Sequence, residues 1–284
     1  MRVRKFFLEN EKGQQVDMNN YKESCFLSSP AGLGYSTNSQ FHQLGNTFIE
    51  DNRKIEKKDP SGVMHFKSYD KCMEFINFIE KSEKLKFVYV LPFEDNDKTF
   101  YRDVSIKSFD KTEKAVRKLA CPIVFNGLSL WYEENVAIYD ITTQEDEIRW
   151  DFTWDSKFVD YSSRGLDFVN QGHVDAPILV SMDGQLINPK IQLYVDGELY
   201  QTVPFNITIE ENEKLLYGTK EGDFYVKKQN IDGSLSSLFE LSVIDFYNDN
   251  VIRLPKNKSC RLVISSDNEV LNAQITILTY FKAV

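Results

Sequence analysis

The feature that most constrains the fold of this chain is the alternation of apolar and polar residues in short runs along most of its length. From Ile148 to Trp154, every second residue is large and apolar, and the residues between them are polar. Successive side chains of a strand point to opposite faces, so this period predicts strands with one buried face. Further runs of this kind are Phe100–Ile106, Cys121–Phe125, Ile191–Val195, Phe205–Ile209, Arg261–Ser265 and Asn272–Phe281, and Leu85–Leu91 is typical of a more fully buried strand. The chain is therefore predicted to be mainly β.

One segment departs from this period. Between Ser68 and Lys81, apolar residues recur at the spacing of an amphipathic helix, with Ser68 as a plausible N-cap. Turn-forming pairs separate the predicted strands, and Asp196-Gly197 between two such runs predicts a tight hairpin. We expect one helix that lies on a sheet.

Length and charge indicate two domains. The chain has 284 residues, more than one small domain needs, and the stretch from Glu133 to Glu147 lacks sustained apolar periodicity. We therefore predict domains at 1–135 and 136–284. The net charge of −9 divides at this boundary into +1 and −10. The acidic second half would repel phosphate, so we expect no nucleic-acid partner.

The chain shows no sign of export or of a membrane partner. Its first residues include only three apolar positions before Glu9, which is too few for a signal peptide, and no run approaches 18 apolar residues. The four cysteines (Cys25, Cys72, Cys121 and Cys260) are widely spaced, so we interpret them as buried free thiols. We expect a soluble protein.

A search for catalytic or cofactor-binding motifs finds none that is complete. The three histidines are isolated, and Gly32-Leu33-Gly34 lacks the third glycine of a dinucleotide-binding loop. Asp95-Asn96-Asp97 and Glu210-Glu211 are predicted to lie in solvated hairpin loops, and the charged stretch Arg53–Lys58 is interpreted as another loop. We therefore predict no catalytic residue, no metal and no cofactor.

Two other functions remain open at this stage. Trp131, Trp150 and Trp154 could stack on sugars, which would suit an adhesin that contacts host cell-wall saccharide through a β-sandwich. Their alternation with polar residues favours a buried sheet face instead. A glycosidase would need two carboxylates that face each other across a cleft.

The order of short motifs along the chain is similar to that of the distal tail protein (Dit) family of long-tailed bacteriophages and prophages. Each motif is weakly specific alone, and their order carries the resemblance. In the first half they are Phe6–Asn10, Ser29–Gly34, the predicted helix, Leu85–Tyr89, Phe100–Val104, Lys111–Glu113, Leu119–Phe125 and Leu130–Tyr132. In the second half they are Asn170–Gly172, Ala176–Ile178, Asn188–Leu193, Asp232–Ser234, Leu238-Phe239 and Ile252–Pro255.

The resemblance implies a fold and a role. The first domain would be a β-barrel-like fold with one helix, related to tail-tube proteins, and the second a galectin-like β-sandwich. The protein would form a homo-hexameric ring at the virion tail tip after assembly in the host cytoplasm. Its partners would be the tail-tube protein, a tail-associated adhesion or lysin protein and, in some phages, a receptor-binding protein. The residues expected to carry the structural motif are Gly32, Leu33, Gly34, Tyr101, Arg102, Asp103, Trp131, Tyr132, Gly172, Asn188 and Pro189.

Overall fold

A computed structural model of the chain describes residues 3–93, 96–115, 118–141, 165–239, 250–267 and 271–284. Contacts between residues divide the chain into two compact units. The first comprises Met1–Glu133 together with Phe281–Val284, and the second comprises Glu134–Tyr280. The strand predicted from Ile148 to Trp154 lies outside the described residues.

The first unit is an antiparallel sheet. Its strands run in the order β2-β1-β7-β8-β10-β6-β3, with β9 beside β10 and the first residues of β11 beside β8. The bounds are β1 (Lys5–Asn10), β2 (Gln15–Asp17), β3 (Cys25–Ala31), β4 (Ser36–Leu44), β5 (Thr47–Glu56), β6 (Ser61–Phe66), β7 (Leu85–Pro92), β8 (Asp97–Phe109), β9 (Glu113–Ala115), β10 (Lys118–Gly127) and β11 (Trp131–Ile141).

The two ends of this path approach each other without closing a barrel. The Met18 N–H donates to the Phe6 carbonyl at 3.1 Å, and the Leu27 N–H donates to the Met18 carbonyl at 2.9 Å. A single bridge between Asn19 and Phe26 completes the contact. The barrel-like prediction therefore corresponds to a curled sheet whose ends meet at isolated backbone hydrogen bonds.

The one helix among the described residues is α1 (Tyr69–Glu80), as the sequence predicts. Ser68 is its N-cap, and its side chain accepts a hydrogen bond from the Lys71 N–H at 3.4 Å. Cys72 and Phe75 are the buried residues of the helix, and Phe75 packs against Phe66 of β6 with ring centroids 5.5 Å apart. The alternating faces of β8 and β10 add Phe100, Val104, Ile123 and Phe125 to the same core.

The second unit has two main antiparallel sheets and one small sheet. One main sheet contains β23, β13, β18, β19 and β20 in that order, with β21 beside β13, and the other contains β12, β22, β15 and β16. The small sheet pairs β14 with β17. The bounds are β12 (Leu166–Val169), β13 (Ala176–Asp183), β14 (Leu186–Ile187), β15 (Lys190–Val195), β16 (Glu198–Pro204), β17 (Thr208–Ile209), β18 (Lys214–Lys220), β19 (Asp223–Gln229), β20 (Leu235–Ser237), β21 (Arg253–Leu254), β22 (Ser259–Ser265) and β23 (Leu271–Phe281).

The two sheets of the second unit share one core, as in a β-sandwich. Ile178 and Ile275 come from the first sheet, and Leu193 and Leu262 from the second. The predicted hairpin is present: Val195 pairs with Glu198 around Asp196-Gly197, and both turn residues have positive φ. The galectin-like topology remains a prediction.

Two local predictions differ from the structure. Phe205–Ile209 is not one strand, since only Thr208–Ile209 forms β17, although Phe205 and Ile209 are buried. Arg53–Glu56 belongs to strand β5 and not to a loop, because it pairs with β4 while all of its residues stay exposed. The four cysteines are buried and free, as predicted. No helix in the described part of the chain is long and apolar enough to span a membrane.

Candidate assembly surface

A long hairpin of the first unit, β4 and β5, stands apart from the main sheet. Within the described residues these strands pair only with each other, from Ser36↔Glu56 to Leu44↔Thr47. Every residue of β5 is exposed. At about 3.3 Å per residue, strands of nine and ten residues extend roughly 30 Å. We call residues 36–56 the arm.

The arm is closed and twisted by two local features. Gly45-Asn46 forms a two-residue turn with Gly45 at φ 62°, a conformation that glycine adopts without steric cost. Asn52 has φ 49° where the register shifts between Asn38 and Gln40, which marks a β-bulge. Bulges increase the twist of a strand pair, so the arm has a defined shape.

Large apolar side chains lie exposed near the tip of the arm. Phe41 is 60%, Leu44 is 70% and Phe48 is 66% exposed, and Ile49 is exposed as well. In the observed register, Phe41 and Phe48 share one face of the arm, and Leu44 and Ile49 share the other. Exposed apolar patches on soluble proteins mark contact surfaces, and here both faces of the same hairpin carry one.

Polar pairs occupy the rest of the arm. Arg53 lies 3.8 Å from Glu50, and His42 lies 3.4 Å from Asp51. The Ser36 hydroxyl and Lys58 both donate to Glu56, and these bonds lower the pKa of that carboxyl below its ordinary value. The ion pairs are solvent-exposed, so each contributes little to stability.

The arm joins the sheet at a buried arginine. Arg102 of β8 is 4% exposed, and its guanidinium donates to three backbone carbonyls. Nε donates to Ser129 at 2.9 Å, Nη2 donates to Lys58 at 2.5 Å and Nη1 donates to Gly32 at 3.4 Å. Gly32 precedes the arm and Lys58 follows it, so one side chain binds the backbone on both sides of the arm.

Trp131 completes this attachment. The Arg102 guanidinium lies over its ring at 5.7 Å, and the indole Nε1 donates to the Leu33 carbonyl at 3.1 Å. The next residues form a second contact: the Tyr132 hydroxyl donates to Asp103 at 2.8 Å, and the Tyr132 and Tyr101 rings stack at 5.9 Å. We call Arg102, Trp131 and the carbonyls they bind the socket.

Two glycines leave space for the socket. Gly32 has φ 74°, and a Cβ there would overlap the Asp59 carbonyl, so the two ends of the arm touch. A Cβ at Gly127 would overlap Nη2 of Arg102. Gly34, by contrast, has open space around its Cβ position. The close approach of the backbone therefore requires glycine at two positions and not at the third.

The positive charge of Arg102 lies near the negative charge of Asp59. Burial lowers the pKa of Arg102, and the negative charge of Asp59 opposes that effect. Asp59 accepts hydrogen bonds from Lys107 at 3.0 Å and from the Gly127 N–H at 3.1 Å. The Lys107 bond is the main cause of a lowered pKa at Asp59. The guanidinium keeps its charge, since arginine is not deprotonated in proteins at neutral pH.

The predicted motif residues of the second unit lie in two different loops. Gly172 donates its N–H to Asn170 Oδ1 at 2.9 Å, and a Cβ there would overlap the Tyr280 carbonyl. Asn188 has φ 48°, precedes Pro189 and donates from Nδ2 to Asp267 at 2.9 Å. Each residue fixes its own loop, and the structure does not bring them into one site.

The structure thus brings the predicted residues of the first unit together around the socket. The sequence analysis missed the arm itself, because the apolar residues of the arm do not alternate over a long enough run. The available signal was Gly45-Asn46 between Phe41 and Phe48, a turn flanked by aromatic residues. In the described residues, no three His, Cys, Asp or Glu side chains are grouped as metal ligands.

Comparisons with known proteins agree with this architecture. Residues 5–128 match the family model described as the distal tail protein, N-terminal domain. A search of curated proteins found no similar sequence. Most of the first unit therefore matches the N-terminal domain of the distal tail protein family, in agreement with the sequence resemblance.

Solved structures extend the similarity to the whole chain. A chain from the phage P2 baseplate in its activated conformation with Ca superposes with a TM-score of 0.70 at 16% identity, and each chain is covered fully. The same baseplate with Sr gives a TM-score of 0.69 at 16% identity, again over all of both chains. The SPP1 Dit protein, described as a hub adsorption apparatus of phages that infect Gram-positive hosts, gives 0.56 at 10% identity over 98% of each chain. At these identities the likeness concerns the fold.

Proposed function

We propose that this protein is a structural, non-catalytic connector of a phage tail tip, and that it assembles into a ring of about six copies through its first unit. The ring would join the tail tube to the tail-tip adhesion proteins, and the acidic second unit would face outward as their attachment site. Assembly would take place in the host cytoplasm, before the tail is complete.

The arm is the observation that carries this proposal. A hairpin about 30 Å long with exposed aromatic and aliphatic side chains on both faces is costly for an isolated monomer. Contact with a neighbouring copy would cover those side chains. The arm and the surface that receives it are different patches, and such heterologous contacts generate rings when the rotation between copies closes.

Charge is compatible with this arrangement. Residues 1–135 carry a net charge of about +1, so several copies can meet around one axis without strong mutual repulsion. Residues 136–284 carry about −10, which would keep the free protein soluble before assembly.

The proposal is tested by the mass of the purified protein in solution, measured by mass photometry over a range of concentrations. We expect one ring of about six copies. A full-length protein that stays monomeric at every concentration would show that the ring proposal is wrong.

The contribution of the arm is tested by placing a charge at its tip. Phe48→Asp should reduce the ring to monomers, because a carboxylate cannot be buried without a partner. Ile231→Asp is the matched control, since Ile231 is 74% exposed in a turn of the second unit. If both variants form rings as well as the unmodified protein does, the arm is not the assembly contact.

The adhesin alternative gains no support in the first unit. Trp131 is 1% exposed there, with its ring beneath Arg102, so it cannot stack on a sugar. Trp150 and Trp154 lie outside the described residues. Binding of the second unit to a glycan array would favour the adhesin.

A further inference from the structure

The attachment of the arm suggests a role that its exposed tip does not explain. Both ends of the arm are held by one buried side chain, and the three carbonyls that Arg102 binds belong to residues 32, 58 and 129. The contacts are far apart in sequence, so local chain geometry alone does not impose them. We infer that Arg102 is the positioning residue of the arm, and that the socket sets the direction in which the arm leaves the sheet.

Several hydrogen bonds hold the two chain segments that link the arm to the sheet. A hairpin joined to a sheet by two flexible links could pivot about them. Here the guanidinium is planar and presents its donors in a fixed geometry. It binds one link through Gly32 and the other through Lys58, while its bond to Ser129 anchors it to the domain. The indole of Trp131 adds a fourth bond, to Leu33, between Gly32 and the first residue of the arm. A pivot of the arm would break several of these bonds together.

Packing makes the same arrangement rigid. Arg102 and Trp131 are almost fully buried, and the ring of Trp131 also contacts Phe87 at 6.0 Å between centroids. The guanidinium packs directly against Gly127 of β10, since a Cβ there would overlap Nη2 and would lie 2.8 Å from the Lys58 carbonyl oxygen. The direction of the arm is thus fixed by the core of the domain and not by the arm's own residues.

Direction matters because of ring closure, and this step rests on the proposed function. In a ring of about six copies, each interface must turn the next subunit by roughly 60°. The same heterologous contact at another angle gives open chains or rings of another size. The tip of the arm would therefore supply attraction, and the socket would determine how many subunits close the ring.

Changes at the tip and changes in the socket are expected to give different defects in assembly. A charged tip, as in Phe48→Asp, removes association and leaves monomers. A disturbed socket leaves the apolar tip intact, so association continues but the products are open or mixed in size. Gly127→Ala disturbs the socket without changing Arg102. Gly34→Ala is the matched control, because Gly34 lies in the link between β3 and the arm and has open space around its Cβ position.

The direction of the arm is measured with two spin labels on the full chain, at Asn46→Cys in the tip and at Lys12→Cys in the exposed turn after β1. The native cysteines are buried, and samples are diluted with unlabelled protein so that distances within one subunit dominate. We expect one narrow distance in the unmodified protein and in Gly34→Ala. Gly127→Ala and Arg102→Lys should give a broad or shifted distribution.

Assembly is then measured on the same unlabelled variants by mass photometry. The fraction of closed rings should fall at least about tenfold in Gly127→Ala and Arg102→Lys, the effect of losing roughly one hydrogen bond to a charged donor. Near-ultraviolet circular dichroism verifies that each variant is folded. If Gly127→Ala does not fold, Arg102→Lys supplies the test.

The measured distances and ring sizes distinguish a failure of the positioning role of Arg102 from a failure of the proposed ring. Unchanged distances and unchanged rings in both socket variants would overturn the positioning role. Changed distances with unchanged rings would overturn the link between arm direction and closure. If the unmodified protein itself is monomeric, the ring proposal fails, and the distances alone decide whether Arg102 sets the direction of the arm.

Discussion

At the residue scale, the first unit depends on a few buried polar groups whose partners are distant in sequence. Arg102 is the clearest, since it binds carbonyls 27 to 70 residues away. Each hydrogen bond to a charged donor contributes about 1.5–3 kcal/mol, and the larger effect is the penalty for leaving buried carbonyls unpaired. Asp59 supports the same region from outside through Lys107 and the Gly127 N–H.

The lowered pKa of Asp59 predicts a pH dependence. A carboxyl whose pKa is lower in the folded state adds stability above its unfolded value of 3.8, and that contribution disappears as pH falls through the folded pKa. Asp59→Asn should therefore lower the Tm at pH 7, and the difference from the unmodified protein should shrink below about pH 4. Thermal unfolding at several pH values measures this.

A matched control for that experiment is Asp110→Asn, whose carboxyl is exposed in the same unit. Its Tm should stay close to that of the unmodified protein at every pH. A Tm difference for Asp59→Asn that grows as the solution becomes more acidic would contradict the assigned direction of the shift.

At the scale of elements, the helix and the arm show two ways in which short segments are stabilised. Helix α1 has a cap and a buried face, and its Phe75 ring packs against Phe66 and Phe109. The arm has neither a buried face nor a neighbouring strand in the described residues. Two-stranded hairpins are marginal alone, so the arm depends on its attachment at the socket and, in the proposed ring, would gain a partner surface.

The cap of α1 can be tested directly. Ser68→Ala removes the acceptor for the Lys71 N–H and should lower the free energy of unfolding by about 1 kcal/mol. Urea denaturation followed by circular dichroism measures the change. Ser68→Asn should retain most of the stability, because an asparagine also caps a helix. Equal losses in both variants would mean that the cap is not what stabilises the helix.

At the scale of the whole molecule, the first unit is built from two separate parts of the chain. The last residues, Phe281–Val284, group with the first unit, although the sequence analysis assigned them to the second domain. Phe281 meets Phe100 edge to face at 5.5 Å, and Val284 packs against the same core. The C-terminal residues thus contribute to the unit that also carries the arm.

This arrangement predicts unequal effects on the two units. Phe281→Ala should destabilise the first unit by about 1–3 kcal/mol, since a half-buried aromatic ring and its edge-to-face contact are lost. Calorimetry should show one unfolding transition shifted and the other unchanged. Phe48→Ala serves as the exposed control at concentrations where the protein is monomeric. A shift of both transitions in Phe281→Ala would contradict the division into units.

Much of the secondary structure could be predicted because its signals are local. The period of two at Arg261–Ser265 and the helical period at α1 depend only on which face of an element is buried. The Asp196-Gly197 turn was also predictable, because both residues tolerate positive φ. The arm was not predictable in this way, since its apolar residues face solvent and follow no burial pattern.

The sequence by itself determined a β-rich, two-part chain with one capped helix and an order of motifs similar to that of distal tail proteins. Only the tertiary structure decided that Gly32, Arg102 and Trp131 meet at the base of a hairpin, and that Phe281 returns to the first unit. The physical reason is that periodicity reports which side of an element is buried, whereas a guanidinium acquires its carbonyl partners only when distant segments pack together.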